Sequence, residues 1–426
     1  MKRQKIGLVA QPRDRVPSNG SIAIWLSEVA TLLAREHDLT IYSQRFADQP
    51  EHECFGDVQI ARVATGFDRH LERGFRHADR WLGRLGTRTS HFFYRHFYFT
   101  SLYSQGYVRR GAELAREQEI DTLIVPNYPQ FLPALRAALP GVRLALMMQC
   151  DWLVELDRSR TASWIDQADL ILGCSDYITN GISERFPELA SRVYPLHNGS
   201  DLASLQGDRT ESAISSLRLA ESDEVILFVG RITPEKGVHE LIDAMDEVLA
   251  AHPKALLLIS GPFAMNPPSP AIWVSGDARA RGFESLKSDY EGRLRAHAAR
   301  FGDRVRFLGD VPHAQLAALY TRARLFVHPS LWDEPFGMIL TEAMACGCPI
   351  VSTRAGGIPE IVADLETGLL VEPGDAPALS GAIRTLLADP ARAAEMGRRG
   401  RERVEAAFSW KRNASRLELL LGSIAG

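Results

Sequence analysis

The chain has 426 residues, 45% hydrophobic and 24% charged, with a formal net charge of -4. That length carries roughly two to three domains with separate cores, and the mild acidity excludes a global electrostatic pull toward nucleic acid. Five cysteines, at 54, 150, 174, 346 and 348, include no Cys-x-x-Cys pair, which argues against a disulfide framework or a zinc site and for a reducing cytoplasm.

At the start, Lys2, Arg3 and Lys5 lead into an apolar run that stops at Ala10, which reads as a first strand and not as a secretory leader. No apolar stretch approaches the length of a transmembrane helix. A turn-rich loop ending at Gly20 is followed by a predicted helix over 21–35 with Ile24, Leu26, Val29, Leu32 and Leu33 on one face, and a strand over 39–43 closes a βαβ unit. Residues 60–110 hold ten arginines against three acids, with Phe92, Phe93, Tyr94, Phe97, Tyr98 and Phe99. Two readings stand: amphipathic helices with solvated arginines, or a surface that meets an anionic membrane or a lipid-linked acceptor.

Apolar strands at 121–126, 144–148, 169–173 and 193–196 continue the alternation, with Ser175 as a helix cap, and a polar linker over 202–223 ends the first series. A second series begins with a strand at 225–229 and a helix through Leu249. It continues with strands at 254–261, 305–308, 325–327, 349–352 and 367–372, and helices over 290–300, 376–387 and 409–421. The interval 262–283, rich in Pro and Gly, is a long loop of the kind that tends to be functional.

The most informative stretch, 328–359, reads HPSLWDEPFGMILTEAMACGCPIVSTRAGGIP. Its pattern is strand end, loop, helix, strand and glycine turn. Glu334 precedes the helix, the amides of Phe336, Gly337 and Met338 form its start, and Glu342 lies on its body. A helix start presents unpaired N–H groups and partial positive charge, which suit phosphate. Eight residues at about 1.5 Å each separate the two carboxylates by roughly 12 Å if all are helical, the reach of a sugar, a diphosphate and a ribose. Arg231 and Lys236, in the glycine-flanked loop 230–237, suit a cationic clamp on a diphosphate leaving group.

Two glutamates with seven residues between them, Pro-Phe-Gly after the first and Ala-Met-Ala-Cys-Gly around the second, resemble the signature of glycosyltransferase family 4, the retaining nucleotide-sugar enzymes of GT-B fold. The Gly-Arg…Lys-Gly loop at 230–237 is similar to another element of that family, and His197-Asn198-Gly199-Ser200-Asp201 to a third. The resemblance implies an α/β protein of two facing Rossmann-like, doubly wound parallel-sheet domains with a cleft between them. Residues 1–205, completed by the C-terminal helix 409–426, would take the acceptor, and 206–408 the donor. It implies a retaining hexosyltransferase that moves a sugar from a nucleotide diphosphate sugar to a cell-envelope glycan or lipid-linked acceptor, in polysaccharide biosynthesis.

By the same resemblance Arg231 and Lys236 stabilise the leaving diphosphate, which the helix-start amides of Phe336, Gly337 and Met338 also hold; Glu334 with the amides of Phe336 and Gly337 orients the sugar, Glu342 holds the ribose, and Gly20 approaches the donor phosphate. The chain contains no Asp-x-Asp, so no metal and no cofactor beyond the donor are expected. Gln149 departs from the family pattern, which places a histidine in that neighbourhood; Asp151 stands nearby, and His197 reads as structural. No nucleic-acid partner is expected, and the location is cytoplasmic, with peripheral contact at an inner membrane face through 60–110. The competing readings are a sugar-nucleotide epimerase or phosphorylase of the same fold, or a non-catalytic scaffold.

Overall fold

The computed structural model describes residues 3–12, 14–18, 20–84, 96–200, 211–263, 282–283, 286 and 289–424. The chain divides into two compact units, residues 1–196 with 413–426, and residues 197–412. In the first, eight strands lie in the order β3-β4-β2-β1-β5-β6-β7-β8. They are β1 (Lys5–Val9), β2 (Asp38–Gln44), β3 (His52–Phe55), β4 (Val58–Val63), β5 (Thr122–Pro126), β6 (Arg143–Met148), β7 (Leu170–Gly173) and β8 (Val193–Pro195).

Every pairing in this sheet is parallel except β3 with β4. Parallel strands are covered on both faces and therefore read as unbroken apolar runs; β5 and β7 are buried along their whole length. Strand β3 is exposed throughout. It has no apolar run, and neither it nor β4 was among the expected elements.

Helix Ser21–Leu33 buries Ala23, Trp25, Leu26, Val29, Ala30 and Leu33. The C-terminal helix Trp410–Ser423 buries Leu417, Leu420 and Leu421, and within the first unit Glu418 Oε1 lies 3.3 Å from His37 Nε2. The units divide at Leu196, earlier than the expected residue 205, because the next few residues are tied to the second unit. Ser200 N donates to Phe408 O at 2.8 Å, and Gly199 lies so close to the Trp410 backbone that any side chain there would collide with it.

The arginine-rich region forms helices Gly66–Arg84 and Gln105–Glu117. The Asp68 carboxylate accepts from the amides of Gly106 (2.9 Å) and Tyr107 (2.8 Å), capping the second helix with the first. Two of the aromatics point inward: Phe97 stacks on Phe75 at 4.4 Å and Phe99 packs on Trp152 at 5.3 Å. Phe92, Phe93 and Tyr94, like most of the loop 262–283, lie outside the described residues.

The second unit is a six-stranded, all-parallel sheet in the order β11-β10-β9-β12-β13-β14. Its strands are β9 (Glu224–Val229), β10 (Ala255–Ser260), β11 (Val305–Gly309), β12 (Leu325–His328), β13 (Ile350–Thr353) and β14 (Gly368–Val371). Ile226, Phe228, Leu241, Met245, Leu257, Val327 and Ile383 are among its core residues, each contributing about 1.5–3 kcal/mol by burial. The chain leaves β9 for β10 on one side and leaves β12 for β13 on the other. The sheet therefore changes direction between β9 and β12, and doubly wound folds bind ligands in the crevice beyond the carboxyl ends of such a strand pair.

Candidate functional site

Two loops leave the sheet at that crevice. The one after β9 carries Arg231 and Lys236; the one after β12 carries Ser330, Asp333 and Glu334. Leu331 N donates to Glu235 O at 2.9 Å, which ties the loops together. Gly237 adopts φ +68° with its Cα against Pro329 O, where a Cβ would collide with the carbonyl. On the far side of Glu334 the turn at Gly356, φ +58°, packs equally tightly on the Glu334 backbone. There Gly356 N donates to Asp333 Oδ1 at 3.0 Å and Gly357 N to Glu334 O at 2.7 Å. Glycine is needed at both contacts, by sterics and by conformation.

Lys236 Nζ and Glu334 Oε1 form a buried ion pair, their side chains 16% and 9% exposed. The same oxygen lies 3.0 Å from Ser330 Oγ, whose one proton also reaches Trp332 O at 2.8 Å, and 3.3 Å from His328 Nε2. Burial alone would raise the pKa of Glu334, but the Lys236 ammonium and the His328 hydrogen bond outweigh it and hold the carboxyl well below the usual carboxylate range. Burial also pushes His328 below the ordinary imidazole range. Neutral His328 therefore donates from Nε2 to an ionised Glu334.

Glu342 is buried on the helix Met338–Ala345. Tyr320 Oη donates to its Oε2 at 3.3 Å, and His313 Nε2 lies 3.6 Å from its Oε1. Burial, with Glu342 beside it, pushes the Tyr320 phenol well above its ordinary range. Arg231 is exposed, and among the described residues it makes no ion pair. Phe336 is buried, Gly337 caps the helix at φ +106°, and Met338 is its first residue. The spacing estimate of roughly 12 Å assumed helix from Glu334 onward. The helix instead begins at Met338, because Pro335 and the left-handed Gly337 interrupt it.

The structure thus brings Lys236 to Glu334, with Arg231 on the same loop as Lys236 and Phe336, Gly337 and Met338 on the run from Glu334 into the helix. Gly20 belongs to the first unit. It is exposed, opens the helix Ser21–Leu33 with φ -72°, and an added Cβ would meet only Ser18 Oγ, at an ordinary 3.9 Å, so its backbone conformation does not itself demand glycine. Also in the first unit, Gln149 N donates to Asn127 Oδ1 at 2.6 Å, and Asp151 is buried. His197 Nε2 lies 3.1 Å from Glu360 Oε2. The sequence reading did not single out His328, Ser330, Tyr320 or His313. His328 and Ser330 flank Pro329 at the end of a buried strand, where a polar residue signals a site in this class of sheet.

Two Rossmann-like parallel-sheet domains in one chain, with this cluster at the switch point of the second, define a GT-B protein. A structure of sucrose-phosphate synthase from Thermosynechococcus elongatus has the same fold, with a TM-score of 0.74 over 99% of both chains at 24% identity. A structure of Anabaena HepE in complex with UDP and glucose gives 0.69 over 99% of this chain and 100% of that one, at 20% identity. Residues 210–403 match the family described as glycosyl transferases group 1, and the chain is a glycosyltransferase. Spore coat protein SA of Bacillus subtilis strain 168 is 26% identical over 424 residues, covering 97% of this chain and 98% of that protein.

Proposed function

We propose that the chain is a retaining hexosyltransferase whose second unit binds a nucleotide diphosphate sugar. The observation that carries this reading is the ionised Glu334 paired with Lys236 at the β9–β12 crevice, with exposed Arg231 on the same loop. An ammonium has three donors, so Lys236 can hold Glu334 and still present N–H groups to a diphosphate. Arg231, Lys236 and the amides of Phe336, Gly337 and Met338 stabilise the leaving group. Glu334 receives sugar hydroxyls and Glu342 the ribose, without a metal.

In the reaction the bond between the anomeric carbon and the diphosphate oxygen breaks. An acceptor oxygen bonds to that carbon on the same face, and the acceptor proton leaves with the diphosphate. In the first unit the helix start at Gly20 offers amides to phosphate. UDP in the HepE complex makes uridine the first nucleobase to try. In a thermal-shift panel of UDP, GDP and ADP with their glucose and mannose conjugates, one base series is expected to raise the melting temperature, since a ligand of the native state stabilises it by mass action. No shift with any of them removes the donor reading.

The acceptor we propose is a cell-envelope glycan or a lipid-linked intermediate, met at the cytoplasmic face of a membrane. No helix among the described residues is long and apolar enough to cross one. Helix Gly66–Arg84 exposes Arg69, His70, Arg73, Arg76, His77 and Arg80, with Phe67 and Trp81 67% and 64% exposed near its ends. Cations between aromatics suit an anionic headgroup layer, at about 1 kcal/mol per cation near the surface. The chain is expected to float with phosphatidylglycerol vesicles at low salt and to be released as salt rises, with Arg73→Glu and Trp81→Ala each weakening binding. Absence of flotation at low salt sinks the membrane contact.

A further inference from the structure

Three groups converge on one oxygen of Glu334. Lys236 Nζ and His328 Nε2 donate to Oε1, and Ser330 Oγ lies 3.0 Å from it, its single proton shared between Oε1 and Trp332 O at 2.8 Å, whereas among the described residues Oε2 takes no hydrogen bond and is not among the buried atoms closed off from solvent. A carboxylate has acceptor sites on both oxygens, and loading one with two donors and a neighbouring hydroxyl fixes its rotation. We propose that His328 and Ser330 are positioning residues that turn Glu334 so that Oε2 alone receives a hydroxyl of the donor sugar. This rests on the donor reading above and names the groups that make it specific for the sugar end.

The supports of these two residues are rigid. His328 is fully buried at the end of β12, its ring stacked on Phe228 at 6.1 Å and 18°. Ser352 Oγ donates to His328 O and Thr353 Oγ1 to Ser330 O, both at 2.7 Å, so β13 pins both backbones. Among the described residues His328 Nδ1 has no partner, and the side chain's one hydrogen bond goes to Glu334. A ring kept solely for packing would be phenylalanine at no loss; imidazole at this place adds one donor, aimed at Oε1.

The test separates packing from positioning. His328→Phe keeps the ring and removes the donor, His328→Gln restores an N–H, and Ser330→Ala removes the hydroxyl. Each variant is titrated with UDP, GDP and ADP and with the glucose and mannose conjugates of the base that binds. Turnover is read as hydrolysis of that donor by water.

In His328→Phe and Ser330→Ala, nucleoside diphosphate affinity is expected to stay within about twofold of wild type. The extra affinity contributed by the sugar, and the hydrolysis rate, should each fall about tenfold, as for loss of one hydrogen bond to a charged group. His328→Gln should recover most of both. The positioning role is overturned if His328→Phe matches wild type, if nucleoside diphosphate and sugar conjugate weaken equally, or if Gln does no better than Phe. If wild type binds none of the three nucleoside diphosphates, the donor reading falls and takes this inference with it; if it binds one and only the variants disagree, the donor reading stands and the positioning role alone is lost.

Discussion

Glu334→Gln is expected to lower kcat about 10²–10³-fold while nucleoside diphosphate binding is kept or strengthened. The amide retains the shape of the carboxylate but not the charge that orders sugar hydroxyls. Lys236, released from its ion pair, turns its whole charge toward the diphosphate. The same substitution leaves a largely buried ammonium without its counter-ion, at a cost of about 3 kcal/mol. In a unit of this size that lowers the melting temperature by roughly 6–12 °C. The double variant Lys236→Met with Glu334→Gln is expected to melt above Glu334→Gln alone, because no uncompensated charge remains.

The pH dependence carries the same signature. A carboxyl whose folded pKa lies below its unfolded value contributes stability that is fully present above the unfolded value, about 4.3, and is lost as pH falls through the folded one. Wild type should therefore lose this contribution progressively as pH falls below about 4.3, and Glu334→Gln should lack that part of the slope. Steady-state kinetics and thermal melts across pH check both halves. A Gln variant with wild-type kcat removes Glu334 from the reaction.

Strands β5, β6, β9, β10 and β12 are legible in the sequence because a strand covered on both faces needs apolar residues at every position, and the composition of the run shows it. Strand β3, His52–Phe55, is exposed at every residue and owes its conformation to its neighbour β4, which is not a property of its own letters. Glu334 and Lys236 could each be picked out by local context. Their pairing could not, since 98 positions separate them and only the order β9-β12 in the sheet brings their loops together. Helical spacing from Glu334 onward likewise does not apply, since a single residue at φ +106° resets the direction of the chain before the helix begins. The donors to Oε1 were hidden for another reason: His and Ser beside a proline are common in loops, and their meaning lies in the direction of the side chain.

Gly237→Ala should inactivate the protein without touching any group proposed to meet substrate. The residue sits at φ +68°, and an added Cβ would run into the Pro329 carbonyl. The left-handed conformation costs alanine about 1–2 kcal/mol; the collision requires in addition that the loop 234–237 move away from 329–331. That movement breaks the bond from Leu331 N to Glu235 O and draws Lys236 from Glu334, and a displacement of about 1 Å at such a constellation is enough for roughly 10²-fold in rate. Gly374→Ala is the matched control, with φ +82° but open space around the new methyl; it carries the conformational cost alone. Kinetics and melting of the two variants side by side should show comparable small losses of stability from backbone conformation, a further loss in Gly237→Ala, and a rate defect confined to Gly237→Ala. Equal rates in the two variants would mean that the close approach of the loops does not set the Lys236–Glu334 geometry, and that the ion pair forms by side-chain reach alone.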